Sequence, residues 1–432
     1  MNKLEKYQDF DFIKFTWFDT NGAARCRVIT RRALEWILET GIGITAVFAK
    51  FGVNSTSCKF SKMDEGEKSG SPSVFLTPVF ETFHACPWSG NGKHKVAEFI
   101  CQIHEQKIGD EFCYYDTRQI CVKLLDQLQS EFGLKLYSSF EYEFLAMKGG
   151  QLLGNAGHSC SSVILKNTED LCYEISSRLS AADIAVEAIN TEAGDGQLEI
   201  TMEPTVGIQS ADNACLYKDC VKSTAVDLGY TATFMCSPFP KLHNGGHFNF
   251  SLQKDGKNVF TDNSDELGLS QLGKFWLNGI LKHARAIAPL LNPNNNSYLR
   301  LYPEVSSDGK KINYGKGKRH IMIRVKRTKN YETYMEFRSP GASANAYLVL
   351  SAVLAAGMDG MRQKNLLPEV STVGTDELPR TLREAVLALE QDDVIKSALG
   401  NDFVELFLAI KRQKDMPITD PDEQFRIYSQ LL

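Results

Sequence analysis

Residues 140–144 read Phe-Glu-Tyr-Glu-Phe, and this stretch decides how the rest of the chain is interpreted. Side chains two positions apart on a β-strand share a face, so Glu141 and Glu143 point together while Tyr142 points away from them. The pattern predicts a strand with an apolar face on a core and an acidic face on the other side. Because charged side chains are mostly exposed, a solvent-facing surface would explain one such strand taken alone.

Further segments repeat this pattern of one polar face, at residues 192–203, 247–252, 323–325 and 334–338. The first contains a predicted turn at 194–196, which would bring its two arms together. Ordinary exposed strands favour threonine, lysine and mixed polar residues, and these segments do not. Their polar positions are instead acidic, with one histidine, at Glu141, Glu143, Glu192, Glu199, His247 and Glu336.

Acidic side chains that converge indicate a metal site. Five carboxylates and one imidazole brought together would repel one another unless divalent cations lay between them. Ligands that are mostly oxygen, with one nitrogen, suit Mg²⁺ or Mn²⁺ better than Zn²⁺. The sequence therefore predicts a magnesium or manganese site on one face of a sheet.

The overall composition is that of a globular protein. Of 432 residues, 43% are hydrophobic and 23% charged, which is too apolar for disorder. The formal net charge of −5 argues against a general nucleic-acid binder. No apolar stretch reaches the roughly 20 residues that span a membrane, and the N-terminus lacks an apolar signal core. Eleven scattered cysteines without a Cys-x-x-Cys pair favour reduced thiols and a cytoplasmic location.

The order of predicted elements indicates the α+β class. A hairpin over 10–29 and a helix over 30–39 begin a small β-rich domain. A larger domain begins near Asp116 or Thr117, either of which can cap a helix that ends at Gly133. Further helices are predicted at 169–182, 210–227, 271–285, 343–361 and 379–412.

Basic residues cluster at Lys310-Lys311 and in 316–320, Lys-Gly-Lys-Arg-His. The chain has no Gly-x-x-x-x-Gly-Lys-Ser/Thr loop, so phosphate recognition would need another device. A solvated basic loop fits this cluster, and so does a flexible loop that binds phosphates through forked arginine donors.

In their order and spacing, these stretches resemble the glutamine synthetase family, in its type I, bacterial-like branch. The resemblance runs from Phe12 to about Lys414, and its anchors are 140–144, 192, 196–199, 232–235, 245–247, 292–293, 296–301, 334–340 and 344–348. It implies a β-grasp domain over 1–113 and a catalytic domain over 114–432, in which helices surround a curved antiparallel sheet. It also implies a homo-oligomer of two stacked rings, in which two subunits usually complete each active site.

The resemblance also assigns roles to the candidate residues. It implies two or three Mg²⁺ or Mn²⁺ ions, held by the six acidic and histidine positions given above. It implies ATP contacts from Glu187, Ser251, Arg319 and Arg324. It implies glutamate contacts from Gly245, Arg300 and Arg338, and catalytic roles for Arg319 and Arg300.

The reaction implied by the resemblance is that of an ATP-dependent γ-glutamyl ligase. The side-chain carboxylate of glutamate attacks the γ-phosphoryl group of ATP, and an amine then displaces phosphate from γ-glutamyl phosphate to form an amide. Arginines stabilise the charge that spreads over the transferring group. The expected partners are therefore small molecules, with no nucleic acid and no membrane.

The chain departs from the family mainly on the amine side. The stretch that reads Asp-Gly-Ser-Ser in glutamine synthetases corresponds roughly to 45–52, which has no carboxylate. Ser306 replaces a flap glutamate, although Glu304 lies close by. Asn249 replaces the second histidine of His-x-His and Tyr334 replaces an arginine, and these two losses near the nucleotide could instead signal weakened catalysis. Without fixed negative charge, a site neither concentrates nor deprotonates ammonium.

Three functions are compatible with this sequence. The first, which we favour, is a ligase for an amine other than ammonia, because Val47, Phe48 and Phe51 suit a larger or less charged amine. The second is an ordinary glutamine synthetase with displaced residues. The third is a catalytically inactive relative similar to lengsin, the structural lens member of the family.

Overall fold

The computed structural model describes residues 7–40, 43–46, 74–104, 113–154, 158–302, 310–369 and 376–429. Two β-sheets organise this part of the chain, a six-stranded sheet near the N-terminus and an eleven-stranded sheet after it. The helices and strands are mixed along the chain, so the α+β class predicted from the sequence is confirmed. The division into domains over 1–113 and 114–432 stays a prediction.

The smaller sheet contains β1 (Phe12–Phe18), β2 (Ala24–Thr30), β3 (Ile44–Ala46), β4 (Val74–Pro78), β5 (His84–Ala85) and β6 (Val96–His104). Its order is β2-β1-β6-β4-β3, with β5 against β6, and β1 runs parallel to β6. The predicted hairpin is present as β1 and β2. Asp19 closes its turn, because its carboxylate accepts hydrogen bonds from the N–H groups of Asn21 and Ala23 at 3.0 and 3.1 Å. Helix α1 (Arg31–Thr40) follows.

The larger sheet contains β7 (Lys135–Lys148), β8 (Gln151–Leu152), β9 (Val186–Thr191), β10 (Gln197–Met202), β11 (Thr205–Val206), β12 (Tyr230–Thr233), β13 (Gly246–Lys254), β14 (Lys257–Asn258), β15 (Tyr314–Lys316), β16 (Ile323–Arg327) and β17 (Thr333–Phe337). Its main order is β15-β16-β17-β13-β7-β10-β9. Within the described residues, β15 and β16 run parallel and its other strand pairs are antiparallel. The 14-residue strand β7 pairs with β13 and β10 and also with β8, β11 and β12, so it is the centre of the sheet.

The remaining helices are α2 (Thr117–Phe132), α3 (Ser162–Leu165), α4 (Glu169–Ala181), α5 (Gln209–Asp227), α6 (Gln271–Leu291), α7 (Asn295–Leu301), α8 (Ala346–Gln363), α9 (Leu382–Glu390), α10 (Asp393–Leu399), α11 (Asn401–Ile410) and α12 (Pro421–Tyr428). Asp116 caps α2 as predicted, and Gly133 ends it in the left-handed conformation. The helices predicted at 169–182, 210–227 and 343–361 agree with α4, α5 and α8 to within three residues. None of the described helices combines the length and apolar character needed to cross a membrane.

Two predicted helices need correction. The helix predicted at 271–285 continues to Leu291 as α6, through Pro289, because the residues of its last turns are buried and packing outweighs a lost hydrogen bond. The single helix predicted at 379–412 is wrong, since three helices occupy this range. The side chain of Asp392 starts α10 by accepting from the N–H of Ile395, and Gly400, with φ 93°, separates α10 from α11.

The apolar face of the larger sheet packs against helices. Tyr142 of β7 is fully buried and stacks on Tyr217 of α5, with ring centroids 5.8 Å apart. Behind this layer α6 and α8 cross with their backbones in contact. A Cβ atom on Gly279 would lie 2.1 Å from the carbonyl oxygen of Ala356, so this crossing requires glycine. With one face buried in this way, the other face of the sheet is left for a site.

Polar contacts join the smaller sheet to the larger part of the structure. The Lys14 ammonium lies 3.0 Å from Asp219 of α5, and the side chain of Asn345 donates to the carbonyl oxygen of Asp19 at 3.2 Å. The Lys411 ammonium donates to Asn21 at 2.7 Å. These contacts attach β1 and the turn of the β1–β2 hairpin to α5, to the N-cap of α8 and to Lys411 after α11.

Candidate active site

The polar side chains of the larger sheet line up in rows across neighbouring strands. One row contains, from β16 to β7, Arg324, Glu336, Asn249 and Ser139. The next contains His247, Glu141 and Thr201. A third contains Glu143, Glu199 and Asn190. Because residues two apart on a strand share a face, the three rows lie on the same side of the sheet.

Two groups of side chains on this face have the spacing of metal ligands. One group is Glu141, His247 and Glu336, and the other is Glu143, Glu199 and His247. In each group, one ligand atom from every residue lies within 4.8 Å of the others. The shared His247 has its Nδ1 atom 3.7 Å from Glu141 and 3.8 Å from Glu336. The structure thus gathers five of the six positions for which a metal was predicted.

The sixth position, Glu192, lies just beyond the end of β9. Its carboxylate accepts a hydrogen bond from the Asn190 side chain at 3.0 Å. Burial raises the pKa of Glu192, and the nearby charge of Glu143 raises it further. Glu192 therefore lies close enough to the second group to interact with its charge.

Burial and mutual repulsion shift the pKa values of these carboxyl groups. Burial raises the pKa of Glu199 to about 7, and the charges of Glu141 and Glu143 add to the shift. Burial also opposes ionisation of Glu141, but hydrogen bonding and charge from His247, with the charge of Lys326, outweigh it and lower the pKa to about 2. The cluster therefore holds at least one carboxyl group that is partly protonated near neutral pH.

A backbone N–H group and a side-chain amide hold the carboxylate of Glu143 in place. Its carboxylate accepts from the Gly245 N–H at 2.7 Å and from the Gln197 side chain at 3.0 Å. Gln197 also donates to the carbonyl oxygen of His243 at 2.7 Å, so it joins β10 to the loop before β13. A Cβ atom on Gly245 would lie 2.7 Å from His247 Nε2, so the glycine allows this loop to pass beside the imidazole. Gln197 was not predicted to have a role, although it lies two positions before Glu199 in an anchor motif.

Three of the predicted arginines lie at the acidic cluster. Arg324 Nη1 is 3.2 Å from Glu336, and Arg338 forms an ion pair with the same carboxylate. Arg300 donates to the carbonyl oxygens of Arg338 and Ser339, and its buried Nε atom has no hydrogen-bond partner among the residues that the structure describes. Burial lowers the pKa of Arg300. These guanidinium groups therefore form a cationic border beside the carboxylates.

The fourth predicted arginine, Arg319, is exposed in the segment between β15 and β16. Its predicted role in catalysis and in phosphate binding stays a prediction. In the same segment Lys316 donates to the carbonyl oxygen of Glu266 at 3.1 Å, so part of the basic cluster is used in a local contact.

A cleft of about 570 Å³ adjoins the metal-ligand groups on this face. Glu141 lies at its boundary, and both predicted nucleotide contacts, Glu187 and Ser251, line it. Its walls also contain Tyr137 and Tyr334, whose rings offer flat apolar surfaces. The cleft is thus a concave space that ends at the carboxylates.

Two further residues contact the cluster and were not predicted to do so. Lys326 Nζ lies 3.8 Å from Glu141 and 3.4 Å from Glu336. The side chain of Asn249, noted above only as a departure, donates to Glu141 at 2.8 Å. Lys326 follows Arg324 by two positions on β16, so the strand period could have placed it on this face.

Two of the departures from the family lie largely outside the described residues. This applies to positions 47–52, which include Val47, Phe48 and Phe51, and to Ser306.

Comparison with known proteins identifies the class to which this arrangement belongs. A family model described as the glutamine synthetase catalytic domain matches residues 114–422. The protein is an ATP-dependent carbon–nitrogen ligase. The chain belongs to the glutamine synthetase family, as the order of its motifs predicted.

Several relatives match nearly the full chain. A glutamine synthetase from Thermotoga maritima is 31% identical over 429 residues, covering 94% of this chain and 93% of the relative. A glutamine synthetase from Thermococcus kodakarensis is 34% identical over 91% of this chain and 86% of its own length. A glutamate–methylamine ligase from Methyloversatilis universalis is 31% identical over 95% of this chain and 93% of its own length.

Solved structures share the fold. A crystal structure of a novel glutamine synthase homolog has a TM-score of 0.84 at 23% identity, and it covers 100% of both chains. A GmaS/ADP complex has a TM-score of 0.82 at 25% identity and covers 99% of both chains.

Proposed function

We propose that this protein is a γ-glutamyl ligase that joins glutamate to an amine other than ammonia. One contrast carries the proposal. All six metal positions keep their expected residue types, whereas the stretch 45–52, which corresponds to the ammonium-binding loop of the family, has no carboxylate. Retained metal ligands favour catalysis, and the missing negative charge disfavours ammonium. The similarity to a glutamate–methylamine ligase supports the same substrate class.

The donor set fits two or three Mg²⁺ or Mn²⁺ ions. Five of the six proposed ligands are carboxylates, which hard divalent cations prefer, and His247 is shared between the two groups. Such ions, when bound, would neutralise the phosphates of ATP and orient its γ-phosphoryl group. Burial raises the pKa of Glu199, and the charges of Glu141 and Glu143 raise it further, so bound cations would favour its ionised form.

The nucleotide and glutamate are proposed to bind on opposite sides of the acidic cluster. ATP would occupy the cleft, contacted by Glu187 and Ser251, with Arg319 and Arg324 toward its phosphates. Glutamate would lie on the side of the Gly245 loop, held by Arg300 and Arg338. The buried, unpaired Nε atom of Arg300 supports this assignment, because a buried donor without a partner is costly unless a ligand satisfies it.

In this arrangement the protein's own groups position the reactants and stabilise charge. The γ-carboxylate of glutamate would attack the terminal phosphorus of ATP, the bond to the β-phosphate oxygen would break and ADP would leave. Arg319 is proposed to stabilise the charge on the transferring group. The amine then displaces phosphate from the acyl phosphate, with Arg300 holding the substrate in place. We further propose a cytoplasmic homo-oligomer of stacked rings, in which a neighbouring subunit completes the site.

An ordinary glutamine synthetase is the second candidate function. It is supported by relatives of that name that are 31–34% identical over more than nine-tenths of this chain. The two candidates differ in the amine alone, so the amine must be varied to separate them.

The test is phosphate release from ATP in the presence of glutamate and either Mg²⁺ or Mn²⁺. Ammonia, methylamine, longer alkylamines and hydroxylamine are compared at equal concentrations of the free amine. Turnover with an alkylamine at least tenfold above ammonia is the expected result, and a preference for ammonia would establish the second candidate. Absence of both turnover and metal-dependent ATP binding would indicate the inactive relative instead.

Two variants test whether the acidic cluster binds the metal ions. Glu336→Ala is expected to abolish turnover, because it removes a buried ligand of the first group. Asp126→Ala, which removes an exposed carboxylate on α2, is the matched control and should keep full turnover. Wild-type activity in Glu336→Ala would refute the assignment.

A further inference from the structure

Lys326 lies between the acidic cluster and Tyr334, a residue that lines the cleft. It lies two residues beyond Arg324 on β16, on the same face, and directly opposite Tyr334 on β17. Tyr334 stands where the resemblance expects an arginine. The positive charge that is missing from β17 is therefore present on the neighbouring strand, at the same level of the sheet.

The Lys326 ammonium contacts two carboxylates of one candidate metal group. Its Nζ atom is 3.4 Å from Glu336 and 3.8 Å from Glu141. A divalent ion held by these two residues and His247 would be adjacent to the ammonium, and like charges so close together repel. Lys326 and a divalent ion therefore compete for the same carboxylates.

The Lys326 side chain can also adopt a second position, nearer to the cleft. It is 24% exposed, and its ammonium lies 5.3 Å from the centre of the Tyr334 ring, which lines the cleft together with Glu141. A lysine stem has four flexible carbons, so its charged group can move several ångströms without any movement of the strand. An ammonium displaced from the carboxylates would remain at the cleft, where the phosphates of a nucleotide carry the opposite charge.

We propose that Lys326 has two roles, as an internal cation that competes with divalent ions in the empty site and as a phosphate contact in the nucleotide-bound site. The inference rests on the proposed function in one respect, that the cleft binds a nucleotide together with divalent ions. It adds a residue for which the resemblance gives no role, and it explains how the loss of an arginine at position 334 is compensated.

The test measures two affinities in the full-length protein, neither of which needs an amine substrate. Free Mn²⁺ is followed by its paramagnetic resonance signal to give the ion affinity of the nucleotide-free protein. ADP affinity is measured by calorimetry in excess Mg²⁺. Both are compared in wild type, Lys326→Met, Lys326→Arg, and a control, Lys257→Met, which alters an exposed lysine on β14.

Opposite changes are expected in Lys326→Met. Mn²⁺ should bind several-fold more tightly, because the competing charge is gone, and ADP should bind about tenfold more weakly, because a charge-assisted contact is lost. Lys326→Arg should keep ADP affinity within about threefold, and Lys257→Met should change neither value. Unchanged affinities in Lys326→Met, or a loss of both, would overturn the inference, since a purely structural lysine would weaken both.

Two further outcomes separate this inference from the proposed function. If no amine is turned over but the two affinities shift in opposite directions, the inference stands and the ligase proposal fails. If Lys326→Met does not fold, as judged by its thermal unfolding, Lys326→Gln replaces it with the same expected changes.

Discussion

At the scale of single residues, chemically identical glutamates in the cluster have very different proton affinities. The pKa of Glu141 is lowered to about 2 and that of Glu199 is raised to about 7. The difference arises from their neighbours, because His247, Lys326 and Asn249 surround Glu141, whereas Glu199 lies opposite Glu143. Glu199 is therefore the group whose protonation should control entry of a metal ion.

We expect Mn²⁺ binding to release a proton from Glu199 near neutral pH. Only the ionised carboxylate is a ligand, so affinity should fall by up to about tenfold per pH unit below pH 7. Calorimetry at pH 6.5 in two buffers with different heats of ionisation measures the proton release directly. Glu199→Gln should lose most of it. Equal binding heats in the two buffers would contradict the prediction.

Lys218 is a second residue with a shifted pKa, on the buried side of the same sheet. Its ammonium lies 4.4 Å from the ring centre of Tyr142 and 5.6 Å from that of Phe234, and it donates to the carbonyl oxygen of Ala344 at 2.8 Å. Burial lowers its pKa to about 8. The unfolded chain thus holds this proton more tightly than the folded protein does between about pH 8 and the normal lysine value.

The free energy of unfolding should therefore rise with pH across that interval, and Lys218→Met should remove part of the rise. The difference between wild type and variant is expected to grow by roughly 1–3 kcal/mol between pH 8 and pH 10. Urea unfolding at a series of pH values measures it, with Lys257→Met as the control. Parallel curves for wild type and Lys218→Met would show that Lys218 does not titrate in this range.

At the scale of secondary-structure elements, one histidine joins three helices. His283 of α6 contacts Asp359 of α8 through Nε2 at 2.9 Å and Asp392, the cap of α10, through Nδ1 at 2.6 Å. Burial opposes the charged form of His283, but the two carboxylates outweigh it and raise the pKa. The same contacts lower the pKa values of Asp359 and Asp392 against the effect of burial.

This link should stabilise the helices most in mildly acidic solution. The contribution of His283 is complete below the pKa of a free histidine, about 6.5, and is lost as pH rises through the higher folded value. The aspartates contribute above about pH 4 and lose their contribution in stronger acid. His283→Gln should therefore cost more at pH 5.5 than at pH 8.5, by about 1–2 kcal/mol.

Thermal or urea unfolding at both pH values measures this difference. His158→Gln, at an exposed histidine, is the control and should show no dependence of this kind. If His283→Gln lowered the free energy of unfolding equally at both pH values, His283 would be neutral at both.

Some features of the strands and helices could be predicted from the sequence, and others could not. Alternation with period two was enough to place Glu141 and Glu143 on one face of a strand, because it is a local property of that strand. Which strands lie side by side depends on pairing between distant parts of the chain, so the contacts of Gln197 with Glu143 and of Lys326 with Glu336 were missed. The range 379–412 keeps one apolar periodicity across three helices, and its breaks depend on the cap at Asp392 and the φ angle of Gly400.

The loop residues were the hardest to predict. Arg319 could be matched to an arginine of the family by its place in the sequence. Its position in space depends on the segment between β15 and β16, where it lies exposed. By contrast, Arg324 follows from the strand that holds it.

At the scale of the whole molecule, a small set of charges connects the two sheets. Asp219 of α5 receives the Lys14 ammonium at 3.0 Å and the Trp88 indole N–H at 2.9 Å. The Lys14 ammonium also lies 3.4 Å from the fully buried Glu98. Because most of these groups are removed from water, their pairing should contribute to holding the sheets together.

Asp219→Asn is therefore expected to lower the free energy of unfolding by roughly 1–3 kcal/mol, with Lys14→Met costing a similar amount. The double variant should lower it by less than the sum of the two, since each single change already removes the same Lys14–Asp219 contact. Urea unfolding of all four proteins measures the coupling. Additive losses would show that the pair does not connect the sheets energetically.

The central position of β7 has a consequence for synthesis of the protein. Glu141 on β7 leaves the ribosome about 200 residues before Glu336 on β17, its neighbour across the acidic cluster. At roughly 5–20 residues per second, translation separates these two side chains by about 10–40 s. A metal ion that needs both Glu141 and Glu336 could therefore bind only after β17 has been made, whereas Glu143, Glu199 and His247 lie on strands that are made earlier.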